Sequence, residues 1–291
     1  MKLGYSTWGM PNVPINVIIP HLARLGYDGV ELTVIPGWSI EMYSLDQDER
    51  RRIRKLVKEY GLELPAVAGH TSLVDPDPAT HARNFQRLKD EIDLCVEWAL
   101  DGEPPCLDTT PGGKPDQWEE LKPTLIERTA ELVEYAASRG VVVAMEPHFA
   151  AAISTPERVS ELLAAVPSPY LRVTFDISHF NIQGYSIQES VAALAPVAAF
   201  THVKDEKGQV PDFEFLIPGE GVFDYVTYLK EMQKAGYEGH IAAEISIMVQ
   251  RRENYDALEA ATQTYRVLAK AFDEAGIARR ADRRMIKGGA G

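Results

Sequence analysis

Short apolar runs alternate with longer amphipathic stretches along the whole chain. Eight runs read as strands: Lys2 to Trp8, Gly29 to Val34, Glu63 to His70, Pro105 to Thr110, Val141 to His148, Leu171 to His179, Ala198 to Asp205 and His240 to Ser246. Several are almost continuously apolar, as expected of parallel strands covered on both faces. A segment of helical period follows each run. In the third, Phe85, Leu88, Ile92, Val96 and Ala99 recur at steps of three and four; in the eighth, Leu258, Ala261, Tyr265, Leu268 and Phe272 do so. Gly26, Gly61, Gly140 and Gly236 stand where a left-handed residue closes a helix before the next strand. This order predicts an α/β chain with a single closed (β/α)8 barrel over residues 1–276 and a basic tail over 277–291. A doubly wound open sheet would carry a glycine-rich phosphate turn after its first strand. The turn here reads Trp8-Gly9-Met10-Pro11-Asn12. The tail reads either as a loose end or as a segment docking on a neighbouring subunit.

Charge narrows the partners. With 43 acidic and 30 basic side chains the chain carries a net charge of −13. Such a field repels phosphate backbones and anionic lipid, so neither nucleic acid nor a membrane is expected. No stretch approaches the length of an apolar membrane span, and the opening Met1-Lys2-Leu3-Gly4-Tyr5-Ser6 is no signal sequence. Cys95 and Cys106 fit neither a zinc spacing nor a disulfide framework, so a reducing, cytoplasmic setting is expected.

Chemistry collects at strand ends. The last four predicted strands run into Glu146-Pro147-His148, Phe175-Asp176-Ile177-Ser178-His179, His202-Val203-Lys204-Asp205 and Ala242-Ala243-Glu244-Ile245-Ser246. In a barrel these carboxyl ends form one mouth. Neighbouring strands lie about 4.8 Å apart, so the three carboxylates would repel unless one took a proton. A divalent cation held by Glu146, Asp176, His202 and Glu244 removes the conflict. Three oxygens and a nitrogen with open positions suit manganese, magnesium or cobalt better than a structural zinc site. Separate ion pairs are the competing explanation, and Lys204 is the one obvious nearby cation.

These strand ends resemble the sugar isomerase/epimerase superfamily of xylose-isomerase-like TIM barrels. Gly29-Val30-Glu31-Leu32 and the turn Pro218-Gly219-Glu220-Gly221 match it too. Its members include ketose 3-epimerases, hydroxypyruvate isomerase, inosose dehydratase and catalytic subunits of C-glycoside deglycosidases. The resemblance implies a metal on Glu146, Asp176, His202 and Glu244, with manganese first and magnesium, cobalt or zinc as alternatives. It also implies that Glu146 and Glu244 are the acid/base pair for proton abstraction next to a carbonyl through an enediolate. The expected activity is therefore a metal-dependent isomerase or epimerase of a ketose or keto-sugar. A lyase on the same scaffold is the runner-up, and a non-catalytic sugar-binding or partner subunit is the alternative of another class. A homo-oligomer is compatible with each.

His70, His148 and His179 end strands three, five and six. Each is either a substrate contact or a satisfied loop histidine; in the resembled family a histidine near position 179 contacts sugar hydroxyls. Lys204, two residues after His202, either stabilises an enediolate or pairs with Glu244 or Glu31. Glu31 either binds a sugar hydroxyl or pairs with Lys204. Trp8 and Trp38 either wall a sugar ring or pack. Phe213 and Phe215, in the loop from Gly208 to Pro218, would accept a more apolar substrate.

Overall fold

The apolar runs become ten strands in the computed structural model, which describes residues 1–279. In chain order these are β1 (Lys2–Ser6), β2 (Gly29–Thr33), β3 (Ala66–Ala68), β4 (Cys106–Thr109), β5 (Val143–Met145), β6 (Leu171–Asp176), β7 (Ala198–Val203), β8 (Asp205–Gln209), β9 (Asp212–Leu216) and β10 (His240–Ala243). Eight of them close a barrel in the order β1-β10-β7-β6-β5-β4-β3-β2. Every barrel pairing is parallel. The closed α/β barrel predicted from the sequence is therefore the observed architecture.

The helices are α1 (Ile15–Leu25), α2 (Gln47–Glu59), α3 (Pro78–Glu97), α4 (Trp118–Arg139), α5 (Pro156–Ala165), α6 (Ser178–Asn181), α7 (Ile187–Leu194), α8 (Tyr225–Lys234), α9 (Ile247–Gln250) and α10 (Ala257–Glu274). The long ones pack an apolar stripe on the barrel. In α1 that stripe is Ile15, Ile18, Ile19 and Leu22. The helix stops at Gly26, whose φ of +101° lets its N–H reach the carbonyls of Leu22 and Ala23. Side-chain caps start other helices: Asp46, Asp77 and Asp256 each accept a backbone N–H from the first turn.

Observed strands are shorter than the apolar runs. The third shrinks from Glu63–His70 to Ala66–Ala68, and residues beyond the paired segments, Glu146 and Glu244 among them, form the barrel mouth. The seventh run does not continue to Asp205. Asp205 opens β8 instead, which pairs antiparallel with β9 as a hairpin outside the barrel. In the third helical segment α3 ends at Glu97, before Ala99, and Val96 is 42% exposed, because Trp98 turns inward in its place. At the far end Ile277 packs into the core and Arg279 donates to the Tyr265 hydroxyl at 2.9 Å. Packing thus continues three residues past the expected boundary at 276. The rest of the expected basic tail, 280–291, lies outside the described residues.

The barrel interior is plugged low. Ala66, Cys106, Ala144, Phe200 and Ala242 form one buried cluster. Two residues on, toward the carboxyl ends of the last four of these strands, stand Asp108, Glu146, His202 and Glu244. Strand period places them on the same inward face. The small apolar layer is thus a floor, and the polar layer above it opens to the mouth.

Candidate functional site

Four consecutive barrel strands, β5, β6, β7 and β10, deliver the four residues first singled out as metal ligands. Asp176 pairs in register with His202, and His202 with Ala242. Glu146 and Glu244 follow β5 and β10, and their N–H groups still bond Thr109 and Val203 at 2.7 and 3.1 Å. Asp176, His202 and Glu244 each bring a ligand atom to within 4.8 Å of the others; Glu146 makes a second such triplet with Asp176 and His179. Glu146 Oε1 also lies 3.3 Å from His202 Nδ1. Lys204 sits between Asp176 and Glu244 with its ammonium against a carboxylate oxygen of each. Glu31 takes His202 Nε2 at 2.8 Å and is not a partner of Lys204. Its side chain points into the barrel interior from β2.

His70 lies between two carboxylates, with Nδ1 3.6 Å from Glu146 and Nε2 3.7 Å from Asp108. Its φ of +33° is unusual for a residue with a Cβ. His179 Nε2 is 3.4 Å from Asp176, and its Nδ1 has no hydrogen-bond partner among the described residues. His148 Nδ1 accepts the Ala150 N–H at 3.0 Å, which leaves Nε2 as the protonated nitrogen of the neutral ring. Trp8 stacks on Trp38 at 4.6 Å and meets His70 edge-on at 4.9 Å.

Burial and charge then divide the protonation states. Burial works against ionising Glu146, but the hydrogen bond and the charge of His202 hold its carboxyl well below the usual range. Asp176 is likewise buried and held down by the charge of Lys204. Burial disfavours charged Lys204, yet Asp176 and Glu244 keep it protonated. Burial also disfavours charged His202, and Glu31, Glu244 and Glu146 reverse that. His179 and His148 go the other way: burial pushes both imidazoles down, so they are neutral. Asp108 is raised well above the usual range by burial and by the charges of Glu146 and Glu31.

Asp108 is the titratable residue beside the site that the sequence reading missed. The signal was present, since a lone carboxylate inside Cys106-Leu107-Asp108-Thr109 breaks an apolar strand as Asp176 does.

Trp8, His70, Glu146, His179, Lys204 and Glu244 line a cavity of about 190 Å³, with Thr110, His148, Phe215, Ser246 and Ile247 completing its wall. A larger cavity of about 520 Å³ opens at the other end of the barrel beside Glu63 and His240. Residues at that end of such barrels serve stability, and the convergent titratable groups lie in the smaller cavity. The arrangement can bind a cation, present neutral imidazole donors to hydroxyls and move a proton to or from a carboxylate.

The chain is similar to known proteins over most of its length. A family model described as a xylose isomerase-like TIM barrel matches residues 19–271. The fructoselysine 3-epimerase of Shigella flexneri is 24% identical over 260 residues, 85% of this chain and 91% of that protein. The L-ribulose 3-epimerase of a Methylomonas species is 25% identical over 235 residues, 76% and 75% of the two chains. Among solved structures, the IOLI protein with a binding zinc atom superposes with a TM-score of 0.76 at 19% identity, over 95% of this chain and 98% of that one. Among the described residues no helix is long and apolar enough to cross a membrane.

Proposed function

This chain belongs to the xylose isomerase-like TIM barrel family, and from that premise we propose that it is a divalent-metal-dependent isomerase or epimerase of a ketose or keto-sugar. The observation that carries the reading is the convergence of Asp176, His202 and Glu244 within ligand distance of one another, with Glu146 joined to Asp176 in a second such group and to His202 at 3.3 Å, beside a small cavity that Glu146 and Glu244 line. These four would hold the cation, manganese first, with magnesium, cobalt or zinc as alternatives. The donor set fits. Its oxygens and imidazole suit such ions, and Lys204 is the ammonium between Asp176 and Glu244. When bound, the cation supplies a Lewis acid for a carbonyl oxygen.

The chain's own groups account for the rest. Glu146 and Glu244 both line the cavity and come from strands on either side of β6 and β7. One takes the proton from the carbon next to the carbonyl and the other returns one, and return to the opposite face inverts that carbon. Lys204, protonated and buried, stabilises the negative charge that develops on oxygen. His148 offers its Nε2–H to a sugar hydroxyl, and His179 and His70 orient the ring. Trp8 walls the open side.

The test is proton exchange in D2O. Manganese-loaded protein given a panel of ketoses, 3-keto-glycosides and inososes should exchange the proton next to the carbonyl and give product of unchanged mass. Removing the metal with a chelator should stop exchange, and manganese should restore it. Glu244→Gln should keep the fold and lose exchange by at least ~100-fold, the scale of a general acid/base contribution. Loss of water or an aglycone would make the protein a lyase instead. A protein that holds no stoichiometric divalent ion and exchanges nothing is a binding module.

A further inference from the structure

The cavity has a polar floor and an apolar mouth. Around the barrel the strands β2, β1, β10 and β7 are consecutive neighbours. Their carboxyl-end loops carry Trp38, Trp8, Ile247 and the hairpin phenylalanines Phe213 and Phe215. Side by side, these make one apolar arc. Trp8 and Trp38 are stacked with planes 27° apart. Phe213 and Phe215 meet edge-on at 5.2 Å, and Phe149, from the loop after β5, meets Phe213 at 5.1 Å. Phe215 touches the floor, its ring 5.7 Å from that of His179. Ile247 is 40% exposed, and Phe149, Phe213, Trp8 and Trp38 are half-buried. Aromatic surface left facing water at a cavity rim marks a binding surface.

Size and charge select the occupant. A cavity of about 190 Å³ is smaller than the ~300 Å³ at which pockets for drug-sized ligands begin, so it holds one sugar ring and little more. Whatever that ring carries must leave along the arc. Two of the charged groups beside the arc are paired, Lys207 with Glu214 at 2.8 Å and Arg252 with Glu220 at 2.7 Å, while Arg251 is exposed at the end of α9. A phosphate or carboxylate tail lying on Lys207 or Arg252 would have to break its pair. A flat apolar ring breaks nothing and finds faces and edges in offset and T-shaped positions.

We infer that the substrate is a keto-sugar bearing an aromatic substituent, with the sugar on the polar floor and the aryl group on the arc of Trp8, Phe213 and Phe215. The inference rests on the sugar-directed reading above and adds the substrate's other half.

Binding separates the two. Phenyl β-D-glucopyranoside and methyl β-D-glucopyranoside lack the carbonyl, so neither is turned over, and they differ only in the substituent. On the full manganese-loaded chain, titration calorimetry should give a Kd for the phenyl glycoside about tenfold lower than for the methyl glycoside, the factor that about 1.4 kcal/mol of aromatic contact supplies. Phe213→Ala and Phe149→Ala, each checked for fold by circular dichroism, should bring the two Kd values to within about twofold. Equal affinities in the wild type, no binding of either glycoside, or a preference that survives both variants overturns the inference. Proton exchange with the sugar panel reports separately. Exchange without an aryl preference overturns only the aromatic subsite, and an aryl preference without exchange overturns only the isomerase reading.

Discussion

His202 is held from both sides, and that arrangement gives Glu31 a task. The Nε2–H points at Oε2 of Glu31, which is fully buried and whose Oε1 has no hydrogen-bond partner among the described residues. Nδ1 is thereby turned toward Glu146 and the mouth. A carboxylate behind a histidine fixes its tautomer and raises its basicity toward a cation, and losing one costs 10–100-fold in affinity in known sites. Under the proposed function, Glu31→Gln should weaken manganese binding about tenfold, measured by calorimetry on the metal-free chain. A Kd within about twofold of wild type would remove Glu31 from that role. The sequence showed which positions were anomalous, because a charge inside an apolar run stands out at residues 31, 146, 176 and 244. It did not show who pairs with whom. Lys204 and Glu31 are both inward-facing, and either could have met the other. The closed barrel instead turns Glu31 onto His202 and leaves Lys204 to Asp176 and Glu244. Such distances are set by barrel closure, which no local pattern encodes.

At the scale of elements, β3 and α3 meet at a glycine. A Cβ on Gly69 would lie 2.1 Å from Glu91 Oε2 and 2.7 Å from its carboxyl carbon. Glu91 has little room to retreat, since it is fully buried and held by Arg87 at 2.9 Å. Arg87 in turn donates to the Val34 carbonyl and to Glu41, which ties α3 to the loop carrying Trp38. Gly69→Ala should therefore cost about 1–3 kcal/mol, as overpacking does elsewhere, read from urea unfolding. Gly69→Ala combined with Glu91→Ala should cost less than the two single losses added together. Strict additivity would show that the contact does not matter. The elements themselves were legible where their period was long: eight barrel strands and the helices between them follow from apolar runs and 3.6-residue stripes. The β8–β9 hairpin was not recognised. Its Asp212-Phe213-Glu214-Phe215-Leu216 alternates as a strand should, but the barrel rule expects a helix after the seventh strand, and the hairpin is an insertion that the rule does not contain. That insertion carries Phe213 and Phe215, so the barrel was readable in advance while the shape of its rim was less so.

For the molecule as a whole, pH acts through a buried carboxyl on that same hairpin. Glu206 is 1% exposed; Oε1 accepts from Asn181 at 2.6 Å, while Oε2 has no hydrogen-bond partner among the described residues. Burial, with the charges of Asp176 and Asp205, outweighs the Asn181 hydrogen bond and pushes the carboxyl up to about 8 from an ordinary 4.5. Between those values the folded chain keeps a proton that the unfolded chain has released. The contribution to stability is thus complete below about pH 4.5 and is lost as pH rises through about 8, at up to about 1.4 kcal/mol per pH unit. A net charge of −13 acts in the same direction, because self-repulsion grows as the remaining groups lose protons. Comparison with Glu206→Gln separates the two, since the variant keeps the neutral side chain at every pH and shares the remaining charge. Thermal melts of both proteins from about pH 5 to about pH 9 should diverge from the start, with the wild type falling further below the variant until about pH 8 and holding a constant offset above it. An offset that stays constant across that range would mean Glu206 holds the same protonation state folded and unfolded, and the alkaline loss of stability would then belong to the overall charge and to Glu91, a buried carboxyl likewise pushed up to about 8.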